Sequence, residues 1–417
     1  MGKHGATGRR GALLTAATLS QFGGSVTQQG TVVLGVFFAA TYNLSLAQMG
    51  AIVSALTLGL VISGLVVGSL VDRYGPRRVL FAGTLLLIIP TSIIGAVHLL
   101  PVTIVMLFVI GLLLSTVPVS GTTAILMASP PDRRGLPMGV RQMAVPAGAM
   151  FTALILPTLA ARYGPHPLYF GFAVLIAITG LAFCAVLPAR TARVIPKPHG
   201  DALLRREAPR LILPALCGFL MAWGQYVLAT YTIPFLHDRH GVSLAVAGVL
   251  LALSQVSAAG ARILLGHLSD RLSGRYDLVL MATAACGALL AGVLAVLPRG
   301  SGMLALVPLW FFLGVTLVGW NALMLTWSGS RVSAHNAGTA IGLTTSAILL
   351  GATISAPAFG LVVEAGGYQS AWFVLGAIML VVAVILWANM RLSAREARTA
   401  QMARTASAQE AAMTLGD

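Results

Sequence analysis

From residue 13 onward the chain alternates long apolar runs with short polar breaks, and the runs are too long for strands or for the one-sided helices of a water-soluble core. Twelve runs stand out, near 13–40, 48–71, 78–98, 102–127, 137–160, 167–187, 210–236, 244–268, 278–297, 302–328, 338–363 and 369–390. A hydrocarbon layer of about 30 Å takes about 20 helical residues, because backbone groups left unpaired in lipid are not tolerated. The pattern therefore predicts an all-α membrane protein of twelve transmembrane helices. The first run follows a basic start, as a signal peptide would, but continues to Ala40 without a cleavage pattern. It is expected to be a retained first helix.

The longest polar break, Pro188 to Pro209, is rich in proline and basic residues and lies near the middle of the chain. It divides the chain into an N-terminal six-helix bundle (1–187), a linker (188–209), a C-terminal six-helix bundle (210–391) and a tail (392–417). The halves repeat each other. "GSLVDRYGPRRVL" from Gly68 returns as "GHLSDRLSGRYDLVL" from Gly266, pairing Asp72 with Asp270, and "RRGLPMG" from Arg133 aligns with "NAGTAIG" from Asn336. Such a duplicated bundle suits rocking of two halves about a central site.

The stretch from Gly68 resembles the helix 2–3 signature of the major facilitator superfamily, G-x-L-x-D-R-x-G-R-[KR]-x-x-L, with Pro76 where the first basic residue is expected. Asp72 ends a helix whose dipole disfavours an anion there, so its carboxylate needs a positive partner elsewhere. The resemblance implies that this partner includes the amide end of helix 11 near Gly338, and that Asp270 faces the start of helix 5 near Gly135 and Pro137. Gly75 allows the reversal into helix 3. Asp72, Arg73, Gly75, Arg77, Asp270 and Arg271 are then expected to form a cytoplasmic gate, with Arg77 and Arg78 near the anionic lipid surface.

Composition agrees with a membrane chain: 57% of residues are hydrophobic and 9% charged, with a mean hydropathy of +0.90. The net charge of +15 need not mean a nucleic-acid partner, because the basic residues gather on one side of the predicted helices. Lys3, Arg9, Arg10, Arg73, Arg77, Arg78, Arg133, Arg134 and Arg391 share that side, and the opposite loops hold Arg162, Arg239 and Arg299. Both termini are expected in the cytoplasm of a bacterial cell, with the chain a monomer embedded in plasma-membrane lipid. The three cysteines lie in apolar runs without a pairing pattern and read as packing residues.

Ionisable residues inside spans are costly and usually functional. All eleven acids fall in loops, tails or helix ends, as do the histidines. Two arginines remain: Arg141, about one turn inside helix 5, and Arg262, eight residues and about 12 Å before Asp270 in helix 8. A buried arginine without an acid is a candidate receptor for an oxyanion, whose geometry matches the guanidinium fork. Arg262 with Gly266 is also similar to the helix 8 arginine of monocarboxylate and oxalate–formate carriers. Gln28, Gln29, Ser120, Gln225, Tyr226, Trp320 and Asn321 supply polar and aromatic groups near the midplane, on helices that line the pathway in that superfamily. Individually such residues also serve helix packing. No cofactor or metal is implied, and no His, Asp or Cys groups converge as an enzyme would need. The resemblance implies a transporter, and the unpaired arginine points to a small organic, carboxylate-like anion as its cargo, moved as uniporter, exchanger or substrate–proton symporter. The competing expectation is a proton-coupled exporter of drugs or neutral solutes. Its marks are absent: Leu107 stands where a helix 4 arginine is expected, and "VPAGA" from Val145 replaces the antiporter motif G-P-x-x-G-G.

Overall fold

The computed structural model describes residues 3–44, 46–130, 132–188 and 207–414. No strand occurs among them. The helices of the first half are α1 (Lys3–Tyr42), α2 (Leu46–Tyr74), α3 (Pro76–Ala96), α4 (Leu100–Ala128), α5 (Gly135–Tyr163) and α6 (Leu168–Val186). Those of the second are α7 (Pro209–His240), α8 (Leu244–Arg271), α9 (Tyr276–Val296), α10 (Met303–Ser330), α11 (337–366) and α12 (368–414). Among the described residues nine helices, or ten with the bent α2, are long and apolar enough to cross a membrane. The stretch Ala337–Leu392 is one of them. It contains two passes, parted at Gly367, whose φ of 75° breaks the helix. The remaining long helix, α1, carries Gln21, Gln28 and Gln29, which lower its hydropathy.

Element ends depart from the hydropathy pattern where that pattern marks the edge of lipid and not the edge of the hydrogen-bond ladder. The first helix begins at Lys3, ahead of its apolar run. The helix of α12 continues to Thr414, where a tail was expected from residue 392. The segment after Arg391 is rich in Ala, Arg, Gln, Glu and Met, all good helix formers, with no proline or glycine before Gly416. Most of the expected linker, residues 189–206, lies outside the described residues.

Each half packs as a bundle, with α1 against α5 and α6 and α3 against α6 in the first half. Two crossings carry most of the contact between halves, α2 with α11 and α5 with α8. Both are backbone-to-backbone. A Cβ on Gly139 would strike the Arg262 carbonyl, and one on Gly342 would strike the Gly64 carbonyl. Gly135 meets Gly266, and Gly68 meets Gly338, in the same manner. No larger residue fits at these four contacts without separating the helices.

Candidate functional site

Each glycine seam ends on an aspartate that caps the opposing helix. Asp72 Oδ1 accepts from the Gly338 amide at 2.7 Å, and its Oδ2 accepts from the Thr339 amide at 2.7 Å and from the Thr339 hydroxyl. Asp270 accepts from the Gly135 amide at 2.7 Å and the Leu136 amide at 2.8 Å. These are first-turn amides of α11 and α5, which have no partner within their own helix. The carboxylates therefore meet both free donors and the positive end of the dipole. Gly75, at φ 84°, turns the chain from α2 into α3 directly after Asp72. The two halves are thus closed against each other on this face, the latch face.

About 12 Å further into the fold the interface holds an arginine. Arg262 is 2% exposed, and its Nη1 donates to the Gln142 carbonyl of α5 at 2.7 Å. That carbonyl is available for a reason written in the sequence. Its helical donor would be the amide of residue 146, and Pro146 has none. The same arrangement recurs at Arg331, whose Nε donates to the Arg210 carbonyl, four residues before Pro214 inside α7, while Arg77 Nε donates to the Cys184 carbonyl, left free where α6 ends at Val186. The Gln142 side chain in turn donates to Asn321 Oδ1 at 3.2 Å, adding a second bond between halves. Arg262 Nε and Gln142 Oε1 are buried without a partner. Among the described residues the one ion pair is Arg133–Asp132, on the surface, so no carboxylate neutralises Arg262.

Beyond the seams the halves part. Between α1, α2, α7 and α11 lies a cavity of about 750 Å³ that includes Gln28, Gln29, Tyr226 and Thr353 among walls such as Leu56 and Leu349. Tyr226 stands within electrostatic range of Arg262. Between α5 and α8 lies a second cavity of about 480 Å³, whose inner end is set by Met143, next to Gln142, and Ala259, one turn from Arg262. Gln255 is the one side chain with an amide on its walls, and Met150, Leu154 and Val256 are exposed. Arg262 thus lies one helical turn from the lining of one cavity, at Ala259, and within electrostatic range of Tyr226 in the other.

The sequence model of the Major Facilitator Superfamily matches residues 13–356. The chain belongs to that superfamily. It is similar to the uncharacterized MFS-type transporter Rv2994 of Mycobacterium tuberculosis (strain ATCC 25618 / H37Rv), 30% identical over 80% of this chain and 75% of that protein. It is also similar to the probable nitrate/nitrite transporter NarK2 of the same organism, 29% identical over 76% of this chain and 80% of NarK2. Among solved structures, the fucose:proton symporter FucP of E. coli superposes with a TM-score of 0.74 at 17% identity, covering 90% of this chain and 97% of FucP. That likeness concerns the fold. As a member of the superfamily this chain is an integral, multi-pass transporter.

Within this major facilitator fold the sequence-predicted residues fall into distinct places. Arg262 and Asn321 join the halves through Gln142, and Gln28 and Tyr226 line the larger cavity. Gln225 is half-buried with its Oε1 unpartnered, as is the Oγ of the buried Ser120. Trp320 departs from the expectation of a pathway residue: it is fully buried in the core, and its indole donates to the Leu317 carbonyl at 2.8 Å. The π-helical turn Gly314–Val318 just before it shifts the register of α10, sending Trp320 inward and Asn321 toward Gln142.

Arg141 is fully buried and does not reach the latch face. It donates to Thr122 Oγ1 at 2.9 Å, Gln21 Oε1 at 2.6 Å and the Val117 and Pro118 carbonyls at 3.3 and 3.2 Å, all inside the first half. At the gate, Arg73 stacks on Tyr74, Arg77 ties to α6, and Arg271 is exposed. Among the described residues none of these three bonds to the opposite half, whereas the aspartates do, and Tyr276 at the start of α9 adds a contact to the Arg134 backbone across the same face. Sequence reasoning missed Gln21, Gln142 and Thr339. For Gln142 a signal was present, the proline four residues later.

Proposed function

We propose that this transporter carries small organic anions by alternating access, and that Arg262 receives the anionic group. One observation carries the reading: a buried cation between the halves, without a carboxylate, holding one helix carbonyl and retaining an unpartnered Nε. On insertion scales a mid-membrane arginine costs about 2.5–3.5 kcal/mol, which a bound oxyanion offsets. Arg141 already has four acceptors and acts beneath the site by fixing α5 against α1 and α4. Tyr226, Gln28 and Gln225 offer the cargo hydrogen bonds from α7 and α1. The largely apolar walls of both cavities favour an organic body over a bare inorganic ion. NarK2, a probable nitrate/nitrite transporter, handles anions by its name, which suits the charge class.

Among the described residues no Asp, Glu or His lies in the middle of an apolar span. Transport therefore runs as uniport or exchange, or as symport in which the substrate carries the proton. The bias of basic residues supports a cytoplasmic latch face and cytoplasmic termini.

The deciding experiment measures the affinity of purified protein for a series of carboxylates, sulfonates and inorganic oxyanions. Arg262→Ala is expected to weaken binding at least about tenfold, a change of about 1.4 kcal/mol. Arg262→Lys, which keeps charge but loses the fork, is expected to lie between the two. Equal affinity in wild type and Arg262→Ala, with folding checked by melting temperature, overturns the anionic cargo and restores the drug or neutral-solute exporter.

A further inference from the structure

The outer side of the first half carries a third cavity, which neither the latch nor the substrate path uses. It holds about 440 Å³ between α3 and α6 at the latch face and is lined by Arg77, Arg78, Phe81, Leu181, Cys184 and Ala185. Two cations form its mouth. Arg77 is fixed there because its Nε holds the Cys184 carbonyl, left free at the C-terminal end of α6, and its Nη groups have no acceptor among the described residues. Arg78 is exposed and has no ion-pair partner among those residues. Both belong to the first turn of α3, after Pro76, where the helix dipole adds to their positive field.

Below the mouth the walls become apolar and stay so. Phe81 is 48% exposed, and Leu85 and Ile89 follow at four-residue spacing at 42% and 57%. On α6, Leu181, Ile178 and Val174 run antiparallel at helical spacing, at 37%, 64% and 58%. Thr84 against Gly180 and Gly95 against Phe170 form the closed seam that these residues flank. From Arg78 to Ile89 is eleven residues, about 16 Å of helix. One leaflet of a hydrocarbon core of about 30 Å has nearly that depth.

We propose that this groove is a specific site for an anionic diacyl phospholipid of the latch-face leaflet. The phosphodiester sits between Arg77 and Arg78, and an acyl chain lies along Phe81, Leu85 and Ile89. A zwitterionic lipid fits the track but brings a third cation to a mouth that already has two. A free phosphate fits the mouth but gains nothing from the track.

The test uses full-length protein stripped of lipid in detergent, then incubated with dioleoylphosphatidylglycerol, with dioleoylphosphatidylcholine or with glycerol 3-phosphate. Bound lipid is read by native mass spectrometry and melting temperature. Phosphatidylglycerol is expected to be retained at about one per protein and to raise the melting temperature by several degrees more than phosphatidylcholine, with glycerol 3-phosphate giving no rise. Arg78→Gln is expected to cut retention at least fivefold, and Arg133→Gln, an exposed arginine elsewhere on the same face, to leave it unchanged. Leu181→Trp, which fills the groove, is expected to abolish retention without lowering the melting temperature of lipid-free protein. Equal retention of the two lipids, or loss of retention in Arg133→Gln equal to that in Arg78→Gln, overturns the site in favour of general attraction to a basic face. Protection by glycerol 3-phosphate equal to that by the lipid overturns the lipid assignment. Wild-type retention in Leu181→Trp overturns the groove.

Discussion

The α2–α11 and α5–α8 crossings are built to one plan and finished differently. Each has an aspartate on first-turn amides of the opposing helix, then two glycine contacts, then a cavity. The differences lie at the ends. Asp72 has the Thr339 hydroxyl as a third donor, where the equivalent position facing Asp270 is Leu136. Beyond the glycines, α2–α11 continues with Ser346 donating to the Val61 carbonyl at 2.8 Å, whereas α5–α8 continues with a buried arginine. The duplicated parts are those that any two rocking halves need. The unduplicated part, Arg262 with Gln142 and Asn321, is where the proposed anion-binding role would put specificity for cargo.

Breaking either seam should have the largest effect. Gly139→Leu or Gly342→Leu puts a side chain where a backbone carbonyl now sits, so the latch face should be held open. Val71 is 2% exposed and lies beside Gly338, which makes Val71→Cys a reporter in a background lacking the exposed Cys286. Thiol labelling at that position should rise by more than about tenfold in either glycine variant, matching a shift above about 1.4 kcal/mol. Labelling unchanged from the parent would show that the seams do not hold the halves together.

The aspartates should come next. A carboxylate at a helix N-terminus contributes about 0.3–2 kcal/mol. Asp72→Asn should therefore raise Val71→Cys labelling several-fold, and Asp270→Asn by less, because Asp270 has two donors to the three of Asp72. The reverse order would contradict the comparison. Thr339→Val, which removes the extra hydroxyl, should make the two latches alike at a cost of about 0.5–1.5 kcal/mol, reducing the difference between the aspartate variants. The smallest effect concerns proton coupling. Counterflow of a proton-free substrate in proteoliposomes should proceed at an unchanged rate when the pH gradient is abolished, and its arrest would point to a side-chain proton carrier.

Much of the fold was legible because lipid imposes a coarse code. Runs of about 20 apolar residues have one meaning, and the repeat of Asp72 at Asp270 fixes the division into halves. The resemblance to the superfamily signature pointed to the amides that the aspartates meet, near glycines that recur in both halves. The orientation of single side chains was not legible. Arg141 and Arg262 look alike in hydropathy, yet one is enclosed by Gln21, Thr122 and two carbonyls of its own half while the other crosses between halves. That distinction depends on which helix faces which. Trp320 and Asn321 were ambiguous for another reason: the π-helical turn before them alters the register, and helical periodicity does not carry through it.

The carbonyl that Arg262 holds gives this joint an unusual genetic silhouette. Its acceptor is main chain, so no substitution at Gln142 can delete it, and no change of pH within the physiological range can discharge it. A side-chain scan along α5 would pass over the joint and instead register Pro146, a residue that touches neither the arginine nor its acceptor by hydrogen bond. Arg331 with Pro214 shares the trait. In this chain arginine and proline are therefore expected to be exchanged in company during evolution, each losing its purpose when the other goes.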